Sequence, residues 1–154
     1  MPALPARNLL ALALFFSVLL TSFLALSQDQ PPNQQRFVVD IELQTLEQFD
    51  LLLQRANQLL LSGEVQQQDE AAVVFVLHGP VLRSLLKQNY PENRPTVDLA
   101  ARLSALEVID LKACRAWMGG NSVSEADLQP FVESVSYGPA DVESLLQQGN
   151  YSYF

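Results

Sequence analysis

The run Ala71-Ala72-Val73-Val74-Phe75-Val76-Leu77 has neither a polar residue nor any alternation, and it restricts the fold more than any other stretch of the chain. A strand with one wet face alternates apolar and polar side chains. A short, β-branched, wholly apolar run instead reads as a central parallel strand covered on both faces. Parallel neighbours need crossover connections, usually helices, so the rest of the chain should alternate strand and helix signals.

That alternation is present. Phe37-Val38-Val39-Asp40-Ile41 reads as a first strand, and Thr45-Leu46-Glu47-Gln48 offers a capping box for the helix that follows. Leu46, Phe49, Leu53, Ala56 and Leu60 then recur at spacings of three and four, on one helical face, with Gly63 as the stop. Glu64 to Glu70 is polar loop. After the apolar run, His78-Gly79-Pro80 makes a tight turn into a helix with Val81, Leu82, Leu85 and Leu86 on its inner side. Asn89 to Pro95 holds two prolines and breaks the pattern, and Val97 to Leu106 is helical again. Val108 to Lys112 is a strand leading to Cys114 and a short helix that ends at Gly119-Gly120-Asn121. Ser124-Glu125-Ala126-Asp127 resembles an N-cap with acids in its first turn, and Phe131 to Val135 is a fourth strand. Gly138-Pro139 opens a last helix closed by Gly149, and Tyr151-Ser152-Tyr153-Phe154 is a terminal strand. The order predicts an α/β domain with a five-stranded, mainly parallel sheet and helices on both faces. No internal repeat or second domain is visible.

Ahead of this domain, Leu9 to Leu26 is an uncharged apolar run preceded by Arg7. With the small residues Ala25 and Ser27 before a polar stretch, residues 1–27 read as a secretory signal cleaved after Ser27. The alternative is an uncleaved anchor, since a spanning helix needs roughly 20 residues. Either reading puts the remainder outside the cytoplasm: periplasmic or secreted, or anchored in a bacterial inner membrane facing the periplasm. Contact with a membrane is expected only if the segment stays uncleaved. Residues 28–35 are a polar linker too proline-rich to pack, and residues 36–154 are the domain.

Only Arg7 is charged within residues 1–27, so the part from Gln28 onward holds 8 basic and 17 acidic residues, a formal charge of −9. A surface this acidic repels phosphate, and no nucleic acid partner is expected. The single cysteine, Cys114, excludes an internal disulfide. It falls just past a strand and at the head of a short helix, where unpaired backbone N–H groups favour the nucleophilic thiolate. The opposing reading is that Cys114 is a small buried apolar residue.

His78, the sole histidine, should share the carboxyl edge of the sheet with Cys114, the edge where open parallel sheets collect ligands. A Cys-His pair would suit acyl chemistry, but no third member of such a triad is recognisable. One histidine and one cysteine fall short of a metal centre, and no cofactor is expected. Lys112 and Arg115 either support the thiolate or are solvated flank. Trp117 and Met118 either shield the sulfur or pack in the core. Asn57 is expected to hydrogen-bond from its helix to a loop.

Val74-Phe75-Val76-Leu77-His78-Gly79-Pro80, Lys112-Ala113-Cys114, Asp127-Leu128-Gln129-Pro130 and Gly149-Asn150-Tyr151-Ser152-Tyr153, taken in order, resemble the landmarks of the DsrE/DsrF-like sulfur-relay family. The match spans Arg36 to Phe154 and includes Asn57 within Arg55 to Leu60. The resemblance implies a three-layer α/β/α fold and a homo-oligomer, often a trimer or hexamer. It also implies a cysteine that carries sulfane sulfur as a persulfide, a position matched by Cys114, with a donor or acceptor thiol or protein as partner. His78, Gly79, Lys112, Arg115, Trp117 and Asn57 are the residues expected to border the site. An exported chain departs from the cytoplasmic members, which pass sulfur between small carrier proteins. The alternative expectation is a non-catalytic oligomeric binding or assembly module in which Cys114 is structural.

Overall fold

The computed structural model describes residues 36–65 and 70–154. The signal or anchor expected at residues 1–27 and the linker at 28–35 lie outside the described residues.

Five parallel strands form one sheet in the order β4-β3-β2-β1-β5. They are β1 (Arg36–Ile41), β2 (Val73–Leu77), β3 (Ile109–Cys114), β4 (Val132–Val135) and β5 (Tyr151–Tyr153). All of β2 is buried, with Val73, Phe75 and Leu77 packed in one core and Val74 and Val76 in another. The uninterrupted apolar run therefore marks the strand covered on both faces.

Helix α1 (Leu46–Ser62) starts where the capping box predicts. The Gln48 N–H donates to Thr45 Oγ1 at 3.3 Å, and the Thr45 N–H donates to Gln48 Oε1 at 3.4 Å. Gly63 closes the helix at φ 77°, a left-handed conformation that a glycine adopts without steric penalty. Phe49, Leu53 and Ala56 point into the larger core. There Phe75 meets Phe49 edge-on at 6.3 Å and Phe154 at 6.1 Å, geometries favoured by the ring quadrupoles.

Two elements differ from the sequence expectation. Pro80–Leu85 winds as a 3-10 helix instead of an α-helix, with Val81, Leu82 and Leu85 buried. Helix α2 spans Tyr90–Ala105, so the expected break from Asn89 to Pro95 is instead its first turns. Pro91 sits where the first N–H groups lack intrahelical partners anyway, and Pro95 removes only one bond near the end. Burial of Thr96, Val97, Ala100 and Leu103 outweighs that loss. Thr96 Oγ1 donates to Asp50 Oδ1 at 3.1 Å, and Arg102 Nη2 donates to Asn57 Oδ1 at 3.0 Å, tying α2 to α1.

The short α3 (Arg115–Gly120) and the capped turn Glu125–Asp127 lead to β4. Met118 and Leu128 join the same core as α1 and α2. Among the described residues, α4 (Gly138–Gln147) is the helix that packs on the other face, where Val142 and Leu145 meet Val38, Val74 and Val76. Three layers result. Among the described residues no helix is long and apolar enough to cross a membrane.

Candidate functional site

The connections from β1 to β2, β2 to β3 and β3 to β4 all contribute to the α1 and α2 face, whereas β4 leaves for α4 on the opposite face. The chain therefore diverges at the carboxyl ends of β3 and β4, and open α/β sheets form their ligand crevices at such a point. Cys114 is the last residue of β3 and is in register with Val135, which ends β4.

Strand alternation decides which helix the thiol meets. Asp110, Lys112 and Cys114 alternate with Ile109, Leu111 and Ala113, which belong to the α1 and α2 core, so Cys114 points to the α4 side. The sequence expectation placed it at the head of the Arg115 helix, but its side chain makes no cap there. Its partner is the first residue of the ten-residue α4, where the Gly138 N–H donates to Sγ at 3.3 Å. The thiol is thus held by one unpaired amide of a helix amino terminus, although not the helix it precedes. Cys114 is only 2% exposed.

Gly138 is packed closely here. A Cβ at this position would lie 3.1 Å from Val76 Cγ1, 3.5 Å from Cys114 Cβ and 3.6 Å from His78 Cδ2. The same measurements put His78 and Cys114 beside one another around Gly138. His78 Nε2 donates to Asp40 Oδ1 at 2.5 Å, with side chains 20% and 39% exposed. Among the described residues the His78 ring bonds Asp40 through Nε2, and the hydrogen bond at the thiol comes from Gly138. Gly79 matters for a different contact: a Cβ there would be 2.9 Å from the Leu43 carbonyl oxygen, so only glycine lets the loop after β1 pass this closely.

The expected cations are already engaged. Lys112 Nζ lies 3.8 Å from Asp110 and 3.7 Å from Asp141, and Arg115 Nε pairs with Glu125 at 2.8 Å and Ser134 at 2.9 Å. Trp117 packs against the α1 and α2 core, beneath the Arg83 guanidinium at 5.8 Å. Asn57 bridges two helices on that same face, and its bond runs to Arg102 instead of a loop. Of the residues expected around Cys114, the structure gathers His78, with Gly79 next in sequence, and leaves Trp117 and Asn57 on the far face. It adds Asp40 and Gly138. Asp40 was legible only as the polar member of β1, and Gly138 only as a helix start; neither signal shows what the residue faces.

An opening lies at the other edge of the sheet. A cleft of about 490 Å³ is lined by Arg36, Glu70, Asp110, Lys112, Glu133 and Tyr151, among others, including the first residues of β1, β3 and β5. Burial raises the Asp110 carboxyl above its ordinary value of 3.8, with Glu133, Asp141 and Glu107 adding to the rise and Lys112 opposing it. Burial likewise raises Tyr151. Among the described residues no group of three or more His, Cys, Asp or Glu side chains is placed to hold a metal ion.

Fold and site together define a parallel α/β domain with one buried thiol at a topological switch point. A solved structure similar to it is that of MTH1491 from Methanobacterium thermoautotrophicum, described as a protein of unknown function. The two superpose with a TM-score of 0.61 at 16% identity, over 78% of this chain and 97% of the other. That likeness shows the fold alone. No protein-family model and no curated protein matches the chain.

Proposed function

We propose that this protein is a DsrE-like carrier that binds or transfers sulfane sulfur as a persulfide on Cys114, outside the cytoplasm and as a homo-oligomer. One observation carries the reading: the Cys114 Sγ accepts the first N–H of α4 at the switch point of the sheet. An N–H aimed at sulfur stabilises negative charge on it, and both the attacking thiolate and the persulfide anion carry that charge. In the forward step the thiolate attacks a sulfane sulfur of a polysulfide. An Sγ–S bond forms, an S–S bond breaks, and the shortened polysulfide leaves with the electron pair. A second thiolate attacks the outer sulfur and regenerates the Cys114 thiolate. No external oxidant or reductant enters either step.

A second reading follows from the 2% exposure of Cys114, the ordinary state of a packed structural cysteine. In it the protein is a non-catalytic oligomeric binding or assembly module. Intact-mass measurement after polysulfide treatment separates the two. The carrier gains one or more sulfur masses, lost on reduction and absent in Cys114→Ser. The module gains none.

A further inference from the structure

We infer that the cleft at the amino edge of the sheet is a binding site for a small, neutral, polyhydroxylated ligand, a mono- or disaccharide. The inference goes beyond the sulfur-carrying reading and does not depend on it.

Strand β3 is paired on both sides, yet the side it turns toward α4 is charged. Val74 and Val76 of β2 lie under Val142 and Leu145 of α4, and their register partners on β3 are Asp110 and Lys112. Lys112 is in turn in register with Glu133 of β4. Register partners on neighbouring strands share a face. The apolar ground beneath α4 therefore gives way to a strip of three charged side chains, and all three line the cleft. Holding them there is costly. The Asp110 and Lys112 side chains are only 32% and 18% exposed, and Lys112 Nζ stands 3.8 Å from Asp110 and 3.7 Å from Asp141, too far to hydrogen-bond either. Among the described residues, the Lys112 ammonium, the Glu107 and Glu133 carboxylates and the Gln148 side-chain amide make no hydrogen bond. Charged groups kept partly out of water in a cleft, with their bonding capacity unspent, mark a binding site.

A volume of about 490 Å³ suits a small molecule, whose sites span roughly 300–1,000 Å³. The lining selects its chemistry. Glu70, Glu107, Asp110 and Glu133 repel an anion, while Arg36 and Lys112 already stand among them as cations, Arg36 paired with Glu70. A hydroxyl group suits both signs at once: its hydrogen donates to a carboxylate, and its oxygen accepts from the Lys112 ammonium or the Gln148 amide. Vicinal hydroxyls on a sugar ring repeat that pairing. Asp110, whose carboxyl burial raises, donates to a hydroxyl oxygen when protonated and accepts from a hydroxyl when ionised. Phe131 and Val74 supply apolar surface for the C–H groups of the ring.

Calorimetric titration of the full chain tests the site with D-glucose, N-acetyl-D-glucosamine and maltose, and with putrescine and L-glutamate as ionic probes. At least one sugar is expected to bind, and neither ionic probe. Glu133→Ala, at an exposed residue, is expected to raise the Kd of that sugar about tenfold or more, the effect of losing a charge-assisted hydrogen bond. Lys112→Met is expected to act in the same sense. Circular dichroism checks folding, and Glu133→Ala decides the matter if Lys112→Met does not fold. Absence of binding by all three sugars overturns the inference, as does sugar binding that the folded variants leave unchanged. Binding of putrescine or L-glutamate in place of the sugars overturns it as well. Sulfur adducts on Cys114 are read separately by mass, so either reading can fail while the other stands.

Discussion

At Gly138 an added methyl group would meet Val76 Cγ1 at 3.1 Å, closer than side-chain carbons ordinarily pack. Gly138→Ala would press a methyl group against Val76 Cγ1, whose side chain is fully buried. The expected loss is about 1–3 kcal/mol, typical of overpacking in a dense core, and urea unfolding measures it. Cys114 and His78 were legible in the sequence because their chemistry belongs to the residue type. Gly138 and Asp40 were not, because a glycine that makes room and an aspartate that holds a ring are defined by their neighbours.

At the scale of elements, signals written within a few residues translate directly into structure. The Thr45 and Gln48 box caps α1, and Thr45→Ala is expected to lower stability by about 1 kcal/mol, read from a urea midpoint with unchanged slope. Phe75 lies between Phe49 and Phe154, and Phe75→Ala should remove about 3–5 kcal/mol, enough to unfold a marginal domain at ambient temperature. Where local and tertiary preferences compete, the sequence reading fails. Two prolines suggested a break at the start of α2, yet one of them loses no bond there, and the buried face of the helix offsets the other. The Pro80 segment winds as a 3-10 turn, and the residue before it, Gly79, passes close to the Leu43 carbonyl.

At the scale of the molecule, strand alternation turns Asp110 toward the face on which α4 packs, and burial there gives its carboxyl an unusual state. Its carboxyl is raised, chiefly by burial, so the folded protein holds that proton more tightly than the unfolded chain does. Stability therefore falls as pH rises through the window from 3.8 to the raised value, and stays lower above it. Asp110→Asn removes the penalty: the variant should exceed the parent in stability at neutral pH and lose that advantage well below 3.8, as paired urea titrations would register. The sequence alone determined the succession of strands and helices, the doubly buried β2 and the one available thiol, because periodicity, caps and residue chemistry act over a few neighbouring positions. Only the tertiary structure decided which face Cys114 occupies, which helix meets it and which carboxylate latches His78. Those facts depend on strand order and register, which bring together residues 24 and 38 positions apart along the chain.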